Sequence, residues 1–392
     1  MAARDPIADL RRIAFLLERA HEATYRVRAF RTAAAALDTI SAEEIAERAA
    51  AGTLTQLSGV GDVTARCVVE SLRGEEPVYL RRLRATEGRD LDEATAALRA
   101  ALRGDCHTHS DWSDGGSPIE EMALAAVELG HEYMVLTDHS PRLTVARGLT
   151  ADRLRKQLDL VAALNERLAG FAADGVLAKP FRILTGIEVD ILADGSLDQE
   201  EDLLARLDVV VGSVHSGLRD PAPAMTGRMV RAIANPHVDI LGHCTGRLMS
   251  ASPVAEESAD APPAPTSTAE GTAKSPAKKA APRGDRAHRR SRGRPESEFD
   301  AEAVFSACVE HDKAVEINSR PERLDPPKRL LRLAVELGCV FAIDTDAHAP
   351  GQLDWLPNGC ARAVACGVPP ERIVNTWPAD RLVAWAASHS RA

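Results

Sequence analysis

Apolar positions divide the chain into a helical part before residue 103 and a part of alternating strands and helices after it. Residues 6–20 and 26–38 repeat apolar side chains at helical spacing, the first through Ile7, Leu10, Ile13, Leu16 and Leu17. A capping box at Ser41 predicts the start of a third helix, and Gly52 predicts its end. The first part is therefore predicted to be a small all-α domain.

Continuous apolar runs alternate with amphipathic helices in the second part. The runs lie at 103–107, 132–137, 181–187, 207–213, 238–242, 313–317 and 340–344. Such strands, separated by helices, are typical of a parallel sheet covered on both faces. Seven units come close to the repeat number of a β/α barrel, so the fold class is predicted to be α/β.

One segment interrupts the barrel pattern. Residues 250–298 hold almost no large apolar side chains and cannot offset the entropy of ordering by burial, which predicts a disordered insertion. The sequence therefore predicts a helical domain at 1–89 and a connecting helix at 90–102. The barrel follows in two parts, at 103–249 and 299–392, with the insertion at 250–298 between them.

Composition narrows the class of protein. A chain of 392 residues with 45% hydrophobic content can bury a large core. It contains no run of 18 apolar residues and no signal-peptide pattern, so we expect a cytoplasmic protein without a membrane partner. Seven cysteines without a Cys-x-x-Cys motif favour reduced thiols.

The charge is distributed unevenly. The net charge of −10 combines +8 in residues 274–294 with −18 elsewhere. A uniformly basic nucleic-acid-binding surface is excluded, so binding of polyanions must be local or metal-mediated. The basic half of the insertion could contact nucleic acid electrostatically, or the insertion could be a solvated and dispensable segment.

A Gly-Val-Gly turn at 59–61 enters an amphipathic helix. Glycines there allow backbone amides and the helix N-terminus to approach a phosphate, although a simple turn between helices has the same pattern. Residues 57–70 resemble a helix-hairpin-helix. Residues 6–84, including the stretch Tyr-Arg-Val-Arg-Ala-Phe-Arg at 25–31, are similar to the small N-terminal DNA-binding domain of bacterial family X DNA polymerases. This resemblance implies sequence-independent contact with a DNA backbone, for which the candidates are Gly59, Val60, Gly61 and Arg66.

Metal-ligand residue types recur at the ends of the predicted strands: His107, His109, Asp114, His139, Glu188, His215, His243, Asp346 and His348. A single His-x-His pair would be typical of a solvated strand end. In a β/α barrel, however, the carboxyl ends of the strands face one cavity. Buried imidazoles need partners there, and clustered carboxylates need cations. The set predicts a multinuclear metal centre suited to Mn, Zn or Fe.

These motifs, in this order, resemble the PHP family, named for polymerase and histidinol phosphatase. Segments such as Leu-Gly-His-Cys-Thr-Gly-Arg-Leu and Ile-Asp-Thr-Asp-Ala-His are similar to the PHP domain at the C-terminus of bacterial family X polymerases. The resemblance implies a distorted (β/α)7 barrel with three divalent metal ions. It implies a first site at His107, His109, Glu188 and Asp346. Glu188 would bridge to a second site with His215 and His243, and the third would use Asp114, His139 and His348.

Hydrolysis of a phosphoester is the reaction expected of such a centre, because clustered divalent ions activate water and stabilise the oxygens of a displacement at phosphorus. We expect the catalytic residues to be Glu188, Asp346 and Arg147. The candidates for contact with substrate phosphate are Arg142, Arg147, Arg247 and Arg323. Each except Arg147, whose Ala-Arg-Gly-Leu setting resembles that of the family, could equally be a solvated surface residue.

Only about twenty residues separate the helical domain from Asp105, too few for a polymerase core. The leading hypothesis is a metal-dependent phosphoesterase acting at DNA 3′ ends, as a 3′-5′ exonuclease or end-processing enzyme of DNA repair. The alternatives are a phosphomonoesterase on a small molecule such as histidinol phosphate, and a metal-bound DNA-scaffolding protein without turnover. The sequence leaves metal identity and oligomeric state open.

Overall fold

The computed structural model describes residues 4–85, 91–249 and 293–389. The helices are α1 (Pro6–Arg19), α2 (Thr24–Asp38), α3 (Ala42–Ala51), α4 (Asp62–Leu72), α5 (Val78–Arg84), α6 (Glu93–Ala101), α7 (Ile119–Glu128), α8 (Ala151–Ala173), α9 (Glu201–Leu204), α10 (Ala222–Ile233), α11 (Ala301–Glu310), α12 (Lys328–Leu337), α13 (Leu356–Ala365) and α14 (Ala379–His389). The strands are β1 (Gly104–Thr108), β2 (Tyr133–Leu136), β3 (Arg182–Asp190), β4 (Val209–Ser213), β5 (Ile240–Leu241), β6 (Ala314–Asn318) and β7 (Val340–Asp344).

Helices α1 to α5 form the predicted small helical domain. The side chain of Asp5 caps α1, with Pro6 at the first helical position, and Ser41 Oγ accepts the amide of Glu44 at the start of α3. Gly52 ends α3 in the left-handed conformation that glycine adopts without strain. The buried face of α1 packs against α2 and α4, so the helical periodicity read from the sequence corresponds to the core.

Seven parallel strands follow one another in chain order and form the barrel. An isolated bridge between Thr108 and Ala347 brings the end of β1 to the end of β7, so the barrel is nearly closed. The predicted α/β fold class, a distorted seven-stranded barrel behind a helical domain, is confirmed. Strand β3 is longer than predicted and pairs with β4 as far as Asp190, which places Glu188 inside the sheet.

The connecting segment predicted at 90–102 contains α6, which packs on α13 of the barrel. Leu98 and Leu102 are buried in the same apolar cluster as the barrel helices. This segment therefore belongs to the outer layer of the barrel.

The helical domain lies directly against the barrel. Helix α1 packs on the 3-10 segment Pro350–Trp355, which follows β7. Arg31 belongs to the motif whose resemblance implied DNA contact, but its guanidinium lies 2.9 Å from a carboxylate oxygen of Glu18 and 3.2 Å from one of Glu121 on α7. Arg31 thus joins the two domains.

The predicted insertion at 250–298 lies outside the described residues except for 293–298. Leu248 and Arg294 pair through two backbone hydrogen bonds of 2.8 and 2.7 Å, and Ser297 is buried. The barrel therefore resumes at Arg294, beside the point where the described chain leaves it. Across the three described ranges, no helix is long and apolar enough to cross a membrane.

Candidate metal centre

Glu188, on β3, lies at the middle of the predicted ligand set and is 1% exposed. Its Oε1 lies 2.8 Å from His243 Nε2 and 3.3 Å from His215 Nε2. Its Oε2 lies 2.8 Å from His139 Nδ1 and 3.4 Å from His107 Nε2. One carboxylate therefore faces imidazoles from four strand ends, the arrangement expected of a bridging ligand.

His107 and His109 lie at the carboxyl end of β1 and are fully buried. His107 Nδ1 lies 2.6 Å from Glu316 Oε1, so a proton on Nδ1 leaves Nε2 available as a donor atom toward the cavity. His109 Nε2 lies 3.5 Å from Asp346 Oδ1. His107, His109 and Asp346 have donor atoms within 4.8 Å of one another, close enough to share one ion.

A second group of donor atoms within 4.8 Å of one another comprises His109, Asp114, His139 and His348. Asp114 Oδ1 lies 3.3 Å from His348 Nε2 and 3.5 Å from His139 Nε2. The loop that carries Asp114 is held by Asp138, which accepts hydrogen bonds from Ser110 and Ser113. A third group is formed by His139, Glu188 and His215.

The polar atoms of this cavity fit bound cations. Among the described residues, several buried donor atoms of the cluster lack a hydrogen-bond partner: His107 Nε2, both ring nitrogens of His109 and of His215, His139 Nδ1, His243 Nδ1 and Glu188 Oε2. Buried polar atoms without partners are costly in a folded protein. Bound divalent ions would satisfy these nitrogen and carboxylate donors, which suit Mn, Zn or Fe.

Burial and the facing charges shift the pKa values of the cluster residues in different directions. Burial alone would raise the pKa of Glu188, but the facing His107, His215 and His139 lower that pKa well below its usual range. Burial lowers the pKa of His109 well below its usual value, and His348 and His139 lower it further. The carboxylate is thus ionised and His109 neutral, the forms that bind metal ions. Despite burial, Glu188 raises the pKa of His107 well above its usual value and that of His215 to about 9, so these two imidazoles must release a proton to bind a metal ion.

The predicted phosphate-binding arginines occupy different positions. Arg323 Nε lies 2.9 Å from Asp346 Oδ2, and its Nη1 has no hydrogen-bond partner among the described residues. The side chain of Arg142 is 63% exposed, near Asp190. Arg247 donates to the carbonyl oxygens of Arg323 and Leu324, so its donors are engaged within the protein. The contact of Arg323 with a substrate phosphate stays a prediction.

Arg147 is exposed and has a φ of 56°. Its guanidinium donates to the carbonyl oxygens of Asp111 and Ser113, in the loop that leads to Asp114. The structure therefore shows Arg147 bracing a ligand-bearing loop, and its predicted contact with substrate stays a prediction.

Three polar residues of the cluster were missed in the sequence. Glu316 and Asn318 lie on β6, where Glu316 Oε2 accepts the amide of His243 at 2.5 Å and Asn318 Nδ2 lies 3.3 Å from Asp346 Oδ2. Arg320 Nη1 donates to the carbonyl oxygen of Asp346 at 3.3 Å. The available signal was a charged residue inside the apolar strand Ala-Val-Glu-Ile-Asn.

The hairpin of the helical domain exposes three of the four residues predicted to contact DNA. Gly59, Gly61 and Arg66 are exposed, whereas Val60 is 6% exposed and packs in the domain core. Gly59 has a φ of +91°, and a Cβ there would lie 2.6 Å from Thr32 Cγ2. Beside it lies a cleft of 440 Å³ lined by Thr24, Tyr25, Arg28, Ala29, Thr32 and Gly59.

Two family models match the chain. The PHP domain model matches residues 105–256, and a helix-hairpin-helix domain model matches residues 1–76. The chain has a PHP domain behind a helix-hairpin-helix domain. The family resemblance seen in the sequence is confirmed.

Among curated proteins, the DNA polymerase/3′-5′ exonuclease PolX of Bacillus subtilis is 35% identical over 67% of this chain. This chain covers 37% of the length of that polymerase. A probable phosphatase of Thermoanaerobacter sp. is 25% identical over 69% of this chain and 89% of its own length. The chain is thus similar to about a third of that polymerase and to most of that phosphatase.

Among solved structures, a histidinol phosphate phosphatase from Lactococcus lactis, complexed with zinc, L-histidinol and phosphate, is 15% identical. The match to this phosphatase has a TM-score of 0.40 and covers 67% of this chain and 92% of the phosphatase chain. A histidinol phosphatase from Listeria monocytogenes also has a TM-score of 0.40, with 17% identity over 64% of this chain and 97% of its own.

Proposed function

We propose that this PHP protein is a metal-dependent phosphodiesterase that hydrolyses DNA at 3′ ends, as a 3′-5′ exonuclease or end-processing enzyme. The observation that carries the proposal is the helix-hairpin-helix domain, which lies directly against the barrel and exposes Gly59, Gly61 and Arg66. Glycines that let a phosphate approach the backbone closely, together with a guanidinium, suit the phosphates of a nucleic acid at such a turn. A small-molecule phosphatase has no need of this surface.

The proposed centre holds three divalent ions. His107, His109, Glu188 and Asp346 would hold the first, Glu188 with His215 and His243 the second, and Asp114, His139 and His348 the third. Divalent ions supply Lewis acidity toward phosphoryl oxygens and make water a competent nucleophile near neutral pH.

The protein's own residues supply binding and orientation. Arg323, whose Nη1 lacks a hydrogen-bond partner among the described residues, is the proposed donor to a substrate phosphate oxygen. Arg142 is 63% exposed and can approach a phosphate farther along the substrate. Glu188 faces the imidazole of His139 and Asp346 faces that of His109, so each carboxylate helps to hold a proposed ligand in position. Arg147 holds the loop of Asp114 in place.

A phosphomonoesterase is the second candidate. It is favoured by relatives named probable phosphatase, which this chain matches over as much as 94% of their own length. Both candidate functions use the same hydrolysis of a phosphoester in the barrel. They differ only in the substrate, which is a DNA end in one and a small phosphomonoester in the other.

The test compares two substrates at equal phosphate concentration: a 3′-recessed or gapped oligonucleotide and p-nitrophenyl phosphate, each with Mn-loaded protein. We expect faster turnover of the oligonucleotide. Deleting the helical domain would be a poor control because α1 packs on the barrel. Arg66→Ala is preferable, since it should slow only the oligonucleotide reaction. Faster turnover of the monoester, with both reactions unaffected by Arg66→Ala, would reverse the ranking.

A further inference from the structure

Asp346 and His348, two of the proposed ligands, lie on one loop after β7. Asp346 has a φ of 54°, a left-handed conformation that a non-glycine residue keeps only when its surroundings hold it. The loop runs directly into the 3-10 segment Pro350–Trp355. Gln352, in that segment, accepts the amide hydrogen of His348 at 2.7 Å. The position of His348 therefore depends on the position of the 3-10 segment.

Helix α1 of the helical domain covers this segment from outside. Glu18 Oε2 accepts the amide hydrogen of Gly351 at 2.9 Å. The indole of Trp355, fully buried, donates to the carbonyl oxygen of Arg19 at 2.9 Å. The approach is close enough to require glycine, because a Cβ at Gly351 would lie 2.1 Å from the carbonyl oxygen of Phe15.

A second contact reaches the same ligands from the turn between α1 and α2. His21 Nε2 lies 2.9 Å from Glu322 Oε1, and this oxygen lies 3.6 Å from Arg320 Nε. Arg320 in turn donates to the carbonyl oxygen of Asp346 at 3.3 Å. The helical domain thus contacts the segment that positions His348, through Gly351. It also contacts the partner of Arg320, which positions Asp346, through Glu322.

We propose that the helix-hairpin-helix domain is a positioning element of the metal centre, which holds the loop of Asp346 and His348 through Glu18–Gly351 and His21–Glu322. This role is additional to DNA binding. It rests on the proposed metal centre and not on the proposed DNA substrate. Residues that support metal ligands typically change metal affinity by about 10–100-fold when they are substituted. Changes in α1 should therefore weaken metal retention for every substrate.

The experiment uses the full chain with His21→Ala, His21→Gln and Gly351→Ala. Mn affinity is measured by competition with a chelator, and kcat is measured on p-nitrophenyl phosphate, a substrate too small to reach the hairpin. We expect His21→Ala and Gly351→Ala to weaken retention of at least one ion by about 10-fold. Their kcat should recover at high Mn concentration. His21→Gln retains a donor for Glu322 and should restore most of the affinity.

Two controls separate this effect from general destabilisation. A Cβ at Gly170 on α8 would meet no described atom within 4 Å, so Gly170→Ala matches Gly351→Ala without a clash. Arg11→Ala removes an exposed ion pair with Asp38 in the same domain. Both should bind Mn as the wild type does.

Wild-type Mn affinity in folded His21→Ala overturns the inference, and this variant decides the question if Gly351→Ala fails to fold. Wild-type protein that binds Mn but leaves DNA ends uncut would contradict only the proposed substrate. Wild-type protein that binds no divalent ion would overturn the proposed centre and this inference together.

Discussion

His107 Nδ1 and Glu316 Oε1 lie 2.6 Å apart inside the barrel, and both side chains are fully buried. With the Nδ1 proton held by this carboxylate, a neutral His107 would offer Nε2 to a metal ion. The same carboxylate accepts the backbone amide of His243, so it orients proposed metal ligands from two strand ends.

We therefore expect Glu316→Ala to lower metal affinity and kcat by about 10–100-fold without removing a direct ligand. Metal content after dialysis and kcat on p-nitrophenyl phosphate measure the effect. Glu310→Ala, an exposed glutamate on α11, is the matched control. Unchanged metal content in Glu316→Ala would show that His107 is oriented without this carboxylate.

Glu188→Gln should reduce kcat by more than ~100-fold, because one side chain faces four imidazoles and its charge would be lost to more than one ion. Steady-state kinetics at saturating Mn measure this loss. The control is Glu310→Gln, which makes the same chemical change at the surface. Similar losses from the two variants would contradict the central position of Glu188.

Metal ions should stabilise the fold, because their proposed ligands come together only in the folded chain. At a free concentration of about 100 times Kd, one ion adds about 2.7 kcal/mol, and removal by a chelator should lower the thermal midpoint by several degrees. Calorimetry with and without chelator tests this, and Glu188→Gln should show a smaller shift. An identical midpoint in both conditions is the outcome that contradicts the prediction.

Arg66→Ala should weaken DNA binding and reduce the dependence of log K on log salt by about 1, because one phosphate contact is lost. Fluorescence anisotropy over a salt series measures both quantities. Arg11→Ala, which removes a charge already paired with Asp38, should leave the slope nearly unchanged. Equal slopes of log K against log salt for wild type and Arg66→Ala would show that Arg66 does not contact DNA.

Replacing residues 252–290 by a short Gly/Ser linker should preserve the barrel. Leu248 and Arg294 already pair through their backbones, so the linker has only a short distance to close. The replacement stops before Arg294 because that residue and Ser297 belong to the described fold. Circular dichroism and the thermal midpoint test the variant, and loss of the folded state would show that the removed residues support the barrel.

The sequence predicted those features that depend on local pattern. The apolar runs located all seven strands, and the order of His and Asp residues after them located Asp114, His139 and His348 at one end of the barrel. Parallel strands explain this success, because their carboxyl ends must meet wherever the chain runs between them.

Features that depend on contact between distant segments were missed. An amphipathic α1 indicates a buried face, but not that Glu18 will meet Gly351. Arg31 has the pattern of a DNA contact but is instead half-buried between Glu18 and Glu121. Arg247 follows a ligand motif, yet it donates to backbone carbonyls of a neighbouring loop. Such partners are determined by tertiary packing, which residue spacing does not encode.

The contact between Arg19 and Asp354 joins residues 335 positions apart. During synthesis, α1 leaves the ribosome long before its docking surface, which is made only after β7. Contacts between such distant residues form late, because closing the chain between them costs entropy before they stabilise the fold. Assembly of the ligand loop against α1 is therefore a late folding event, and a nascent chain that stops short of Trp355 leaves this face of the helix exposed to solvent or chaperones.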